Sequence, residues 1–467
     1  MSSVSLCLIA KNESAMIGGC LASVRGVVDQ IIVVDTGSTD NTRDIAASCG
    51  AEVLNFAWCD DFSAARNAAL AAVKGEWVLV LDCDERLSSR AGEAIRHAVA
   101  EARVDAFVLP LTDSASLEAS PDDVVAGRHA LRETIWLPRL FRFDPTLRWE
   151  GRVHEHVGSW LEQRGGVVGT VNAPIAHYGA VPDYREQRGN SDRNLKLLIQ
   201  EIQADPSLWF TRTFLVEELL HRSPEHALSQ ANILWTQIDG ELLPAISKGR
   251  SQHAVVKSLT ACMVVFVQAQ HFERAVQCAT RAQKVGVDHP NLDFLSGLAY
   301  ENLAVSEHGN DRRLLLQARD SYFRVLQAEE QVWIDALIGG IRSWNGLMRL
   351  STVLLQLGHP EDALEGFRLA KTQTDKVQRE LAMGEAEALL GIARSAEALE
   401  LLHPWLEADP ENSDALILSA VACEQLGYRE AARDFWISAS KSAHSGLRGL
   451  HRLARLNQGL AEMIGAA

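Results

Sequence analysis

No apolar run in this 467-residue sequence approaches the roughly 20 residues that a bilayer-spanning helix needs, so an integral membrane segment is not expected. Positive charge is also short. Against 61 Asp and Glu there are 45 Lys and Arg, a formal charge of −16 that matches neither a polyphosphate duplex nor an anionic bilayer, and nucleic-acid binding is disfavoured. The eight cysteines (Cys7, Cys20, Cys49, Cys59, Cys83, Cys262, Cys278 and Cys423) include no CxxC pair, which argues against a zinc site, a disulfide framework or redox chemistry. Nor is there a basic leader with a cleavage site. The N-terminus runs directly into a strand-like segment at residues 5–10, so a cytoplasmic location is expected. Disorder is excluded as well: 47% hydrophobic and 23% charged residues are ordinary globular values, and the length suits about two to four domains.

What is present divides into two periods. Up to about residue 110, short apolar runs rich in β-branched residues (SLCLIA at 5–10, IIVVD at 31–35, EVLNF at 52–56, WVLVLD at 77–82, AFVLPL at 106–111) alternate with helical patterns. Such runs suit strands buried on both faces of a mostly parallel, Rossmann-like sheet with helical crossovers. Three of them end in polar residues: Lys11, Asn12 and Glu13; then Asp35; then Asp82, Asp84 and Glu85. Open α/β sheets bind ligands at the carboxyl ends of their strands, which places these groups around one crevice. Residues 112–180 are irregular, with Gly, Pro, Trp and His concentrated in LPRLFRFDPTLRWEGRVHEHV (137–157) and APIAHYGA (173–180), and the acceptor side of a site is expected there.

Beyond about residue 185 the strand pattern gives way to amphipathic helices. Ala363, Ala398 and Ala432 recur at spacings of 35 and 34 residues, the period of tetratricopeptide-type helix-turn-helix solenoids. Gly358 and Gly427 suit the turn before a second helix, Phe367, Leu402 and Trp436 the packing between helices, and residues 271–282 and 314–326 read as two further repeats. The expected organisation is an α/β domain over 1–185 and an all-α repeat domain over 186–467. Stacked repeats build a concave surface that serves as a scaffold, a homodimerisation arm or a peptide-binding face.

Asp82 and Asp84 stand two apart at the end of a strand and project to one side in extended geometry. Two carboxylates so placed repel unless a cation or a protonation event offsets them, and hard oxygen ligands favour magnesium or manganese over zinc. In VVDTGSTDNT (33–42) the turn and helix cap account for residues 38–42 but not for Asp35. In FSAARNAAL (62–70) Arg66 is either a surface ion-pair partner or a phosphate contact.

IAKNE (9–13), VVDTGSTDNT (33–42), DFSAARNAAL (61–70) and GEWVLVLDCDE (75–85), in this order, resemble the family 2 glycosyltransferases of GT-A fold. The resemblance implies a nucleotide-sugar donor, commonly a UDP-sugar, a Mn2+ or Mg2+ ion, and transfer of a hexosyl or N-acetylhexosaminyl group. Lys11, Asn12 and Glu13 would then belong to the donor site, with Glu13 and Asp35 on the nucleoside, Arg66 supporting the pocket and Asp82 facing the ribose. Asp84 would be the main metal ligand, and His177 resembles the histidine that closes many such sites on metal or phosphate. Inversion needs a general base at the acceptor. In RWEGRVHEHV (148–157), read as a strand, His154 and His156 share one side and Glu155 takes the other. A W-x-G-x-x-H-E pattern such as 149–155 is common in relatives bearing repeats. Glu155 is the favoured base, since a carboxylate is already ionised at neutral pH, with His154 the alternative.

The Q-x-x-R-W pattern of processive polysaccharide synthases is lacking, as is the Gly-rich, Lys-bearing loop of a sugar nucleotidyltransferase. Relatives with this layout include peptide S-glycosyltransferases, so the acceptor is a peptide or protein, or a saccharide or lipid-linked glycan. The competing reading is a repeat-based interaction scaffold whose transferase domain is vestigial.

Overall fold

The computed structural model describes residues 2–131, 134–188, 190–246, 252–306, 311–328 and 339–441. Its N-terminal part is built on a nine-stranded sheet: β1 (Val4–Ala10), β2 (Gln30–Asp35), β3 (Glu52–Asn55), β4 (Trp77–Val80), β5 (Glu85–Leu87), β6 (Ala106–Asp113), β7 (Ile135–Arg142), β8 (Val168–Thr170) and β9 (Ile175–His177). The spatial order is β3-β2-β1-β4-β7-β6-β9-β5, with β8 paired to β6. Four of the five apolar runs read from the sequence form the parallel half, β3-β2-β1-β4, and the fifth is β6, beyond β7. The stretch expected to be irregular supplies β7, β8 and β9: β7 runs antiparallel between β4 and β6, and β9 lies parallel to β6 and antiparallel to β5.

Period two sorts the side chains of β1 and β2 onto two cores. Leu6, Leu8 and Val33 pack with Ile17, Cys20, Ile95 and Val99 from the helices Ile17–Ser23 and Ala91–Glu101. Cys7, Ile32 and Val34 pack on the opposite face with Ala65, Ala69 and Trp160 from the helices Phe62–Leu70 and Gly158–Arg164. A sheet covered on both sides in this way leaves the carboxyl ends of its parallel strands as the edge where a site can open. No cysteine is paired among the described residues, and six of the eight are buried.

The strand-to-helix change falls near residue 185, but the first of two compact units continues through Ala269, so the helices Asn190–Ala204, Trp209–Leu219 and His253–Gln268 belong with the sheet. The second unit is made mainly of helix pairs after Asp288. Its regular part comprises Trp344–Leu357 with Pro360–Lys371, Gln378–Gly391 with Ser395–Ala408, and Ser413–Leu426 with Arg429–Lys441. The anchoring alanines Ala363, Ala398 and Ala432 are all buried at the start of second helices. Gly358 and Gly427 end first helices at φ of 85° and 79°, a left-handed conformation that glycine adopts without steric cost. Small side chains let the inner helices approach closely, and residues 415–423 are buried without interruption. No described helix is long and apolar enough to cross a membrane.

Candidate functional site

A cavity of about 940 Å3 opens at the carboxyl ends of β1 and β4. β1 delivers Lys11, Asn12 and Glu13 to its rim, and the loop after β2 holds them: the Asn12 amide donates to Ser38 Oγ (2.9 Å), the Glu13 amide to Thr42 Oγ1 (2.7 Å), and Asn12 Oδ1 accepts from the Thr39 amide (2.8 Å). Asn12 is left-handed at φ 56°, a conformation that asparagine tolerates better than most side chains. Asp35 takes a different place from the one the sequence suggests. Its buried carboxylate accepts from the Gly37 and Ser38 amides at 3.1 to 3.2 Å, and it shapes the loop without lining the cavity.

The helix Phe62–Leu70 begins at Asp61, whose side chain accepts from the Ala64 amide, and this start aims Arg66 inward. Arg66 is the centre of a buried network. Its Nη2 donates to Asp82 Oδ1 at 2.9 Å and its Nε to Glu155, while Arg139 of β7 reaches both Asp82 and Glu85. Burial opposes the charge on Asp82, yet Arg66 and Arg139 outweigh it and hold the carboxyl well below its usual range. Glu85 lacks that balance: burial pushes it up to about 7 despite Arg139. Burial likewise works against the charge on Arg66, and Glu155 and Asp82 reverse the effect and keep it protonated.

Residues 148–157 are not a strand. Glu150 and His156 pair across a tight turn in which His154 adopts φ 56°, so the expected alternation of side chains does not arise. Glu155 points to Arg66, and the His154 ring stacks on Phe214 with centroids 4.3 Å apart. Burial lowers His154 to about 4, so it is neutral at physiological pH. His156 meets Phe210 edge-on at 5.1 Å. The wall carrying these rings is completed by Arg193, Asn194 and Lys257, all from helices whose sequence pattern assigns them to the repeats. Arg139, Phe210 and Phe214 escape a motif search because they reach the cavity from remote segments. Pro138 and Arg139, which interrupt the apolar residues of β7, were the available signal.

Asp84 and His177 lie together where β9 returns beside β5. His177 Nε2 is 3.9 Å from Asp84 Oδ1, and its Nδ1 is 2.7 Å from Asp113 Oδ1. Burial would lower His177, but the bond to Asp113 and the charges of Asp84 and Glu85 raise it to about 9. A Cβ on Gly179 would stand 2.2 Å from Asp84 Oδ2 and 2.7 Å from His177 Nε2, so the absence of a side chain there keeps a small space open beside both groups. One carboxylate and one imidazole bordering such a space fit a divalent cation that takes its remaining ligands from phosphate and water. Among the described residues no group of three or more His, Cys, Asp or Glu converges into an all-protein cage.

Residues 5–153 match the family Glycosyl transferase family 2. Over 199 residues, 41% of this chain and 46% of the relative, the sequence is 38% identical to a TPR repeat-containing protein of Synechococcus elongatus. Over 202 residues, 43% of this chain and 45% of the relative, it is 29% identical to the SPbeta prophage-derived glycosyltransferase SunS of Bacillus subtilis. The chain therefore spans somewhat under half the length of these two relatives. Glucosyl-3-phosphoglycerate synthase from Mycobacterium tuberculosis, solved with Mn2+, UDP and phosphoglyceric acid, aligns with a TM-score of 0.30 at 18% identity over 40% of this chain and 74% of that one. Residues 5–153 of this protein are thus similar to the family 2 glycosyl transferases, and they are followed by helix pairs that recur at the tetratricopeptide spacing.

Proposed function

We propose that the protein transfers a hexosyl or N-acetylhexosaminyl group, with inversion, from a UDP-sugar to a peptide, protein or saccharide acceptor. The observation that carries this reading is the single cavity onto which Glu13, Arg66, Asp82, Asp84, Glu155 and His177 all open. Lys11, Asn12 and Glu13 form the rim that receives the nucleoside, and Asp82, kept ionised by Arg66 and Arg139, accepts hydrogen bonds from the ribose hydroxyls. Asp84 and His177 hold Mn2+ or Mg2+, which when bound offsets the charge that builds on the departing diphosphate. Glu155 receives the proton of the attacking acceptor group, and its bond to Arg66 fixes one carboxylate oxygen and leaves the other for that task. His154, neutral and stacked on Phe214, is the second candidate base. The acceptor enters along the ring wall of Phe210 and Phe214, which excludes water from the reacting centre.

A panel of nucleotide sugars, incubated with the full chain and Mn2+ or Mg2+, tests the donor side, because many transferases slowly pass sugar to water when no acceptor is present. Hydrolysis of a UDP-sugar that Asp84→Asn abolishes is the expected result. If no nucleotide sugar is turned over and no nucleotide raises the melting temperature, the chain is the interaction scaffold instead.

A further inference from the structure

The nitrogen of His177 that faces Asp84 is set by a residue outside every motif. β6 and β9 are parallel neighbours, and their register places Asp113, the last residue of β6, directly opposite His177, the last residue of β9. The 2.7 Å contact between Asp113 Oδ1 and His177 Nδ1 makes Nδ1 the ring's donor. A cation binds the neutral ring, in which only one nitrogen carries the hydrogen; with that hydrogen on Nδ1 the lone pair lies on Nε2, the atom 3.9 Å from Asp84. Rotation of the ring about its bond to Cβ would break the Asp113 contact. The space that Nε2 faces is kept by Gly179.

We infer that Asp113 is a positioning residue of the cation seat: it fixes the ring of His177 so that Nε2 meets the ion held with Asp84. A carboxylate behind a ligating imidazole both orients the ring and strengthens it as a donor, and removal of such a partner typically weakens metal binding about 10- to 100-fold. Asp113 contributes through His177, without touching the ion. The inference rests on the proposed cation seat of Asp84 and His177.

Titration of the full chain with Mn2+ in the presence of UDP, followed through the free-ion electron paramagnetic resonance signal, separates the two claims. Asp113→Ala is expected to lose about 10- to 100-fold in Mn2+ affinity, while UDP affinity in excess chelator stays as in the unaltered chain. Asp113→Asn, whose side-chain oxygen still accepts the Nδ1 hydrogen, is expected to recover most of the loss. Asp113→Ser is too short to reach the ring and should behave like Asp113→Ala, which keeps the test available if the alanine variant does not fold. Unchanged Mn2+ affinity in Asp113→Ala or Asp113→Ser, with affinity lost in Asp84→Ala, overturns the role of Asp113 and leaves the seat standing. Unchanged affinity in Asp84→Ala overturns the seat and the inference together.

Discussion

Arg66 shows how one side chain ties two chemical duties together. It lies in the middle of a short helix, and its forked guanidinium reaches Asp82 on one arm and Glu155 on the other, a geometry that lysine could not reproduce. Glu155 is thereby held in place on the wall of the cavity. Replacement by glutamine keeps the shape and removes the basicity. Glu155→Gln should lower the transfer rate by about 10²- to 10⁴-fold while UDP affinity changes little, as judged by steady-state rates beside calorimetric binding. His154 gives a prediction on stability. Its pKa falls from 6.5 to about 4 on folding because burial disfavours the imidazolium. Between those values the unfolded chain binds the proton more readily, so stability is fully present above pH 6.5 and declines as the pH falls toward 4. Glu155 opposes the shift and Lys257 reinforces it. Melting temperatures between pH 4 and 7.5 should show a shallower acid decline for His154→Asn, which tolerates the left-handed backbone of the position.

Among the elements, the helix Phe62–Leu70 bears most directly on the site. Asp61 accepts from the Ala64 amide at 2.9 Å, satisfying one of the orphan donors of the first turn. Asp61→Ala is expected to cost about 1 kcal/mol of stability, read by urea unfolding, and to raise KM for the donor because Arg66 is carried on that helix. Two elements contradict their local sequence. Pro404 reads as a helix breaker yet lies inside Ser395–Ala408, where packing of Ala398 and Leu402 outweighs the lost backbone bond. β7 contains Pro138 and looks irregular, but it is a full ladder partner of β6 with a register shift between Phe107 and Val108, the kind of irregularity at which a strand accommodates proline.

At the scale of the whole molecule, two compact units of different construction share one chain, and the cavity belongs wholly to the first. A ligand that binds only the native first unit should raise that unit's transition by about 2.7 kcal/mol at 100 times Kd and leave the second where it was. Calorimetry of the intact chain with UDP and Mn2+ should resolve this as one shifted and one fixed transition; a single transition moving as a whole would contradict it.

The parallel strands, the repeat helices and the placement of Lys11 through Glu13, Asp82 and Asp84 near strand ends were legible in the order of the amino acids. These follow from local periodicity and from short motifs whose residues sit close together in the chain. Tertiary structure alone decided the rest. It turned residues 148–157 into a loop, directed Asp35 to its own turn, set Arg139 beside Asp82 and Asp113 against His177, and brought Phe210 and Phe214 against His156 and His154. The loop at 148–157 and the turn at Asp35 are short-range but carry no periodic pattern, whereas the other relations join segments far apart in the chain and draw their energy from burial and charge pairing that exist only once the segments have met.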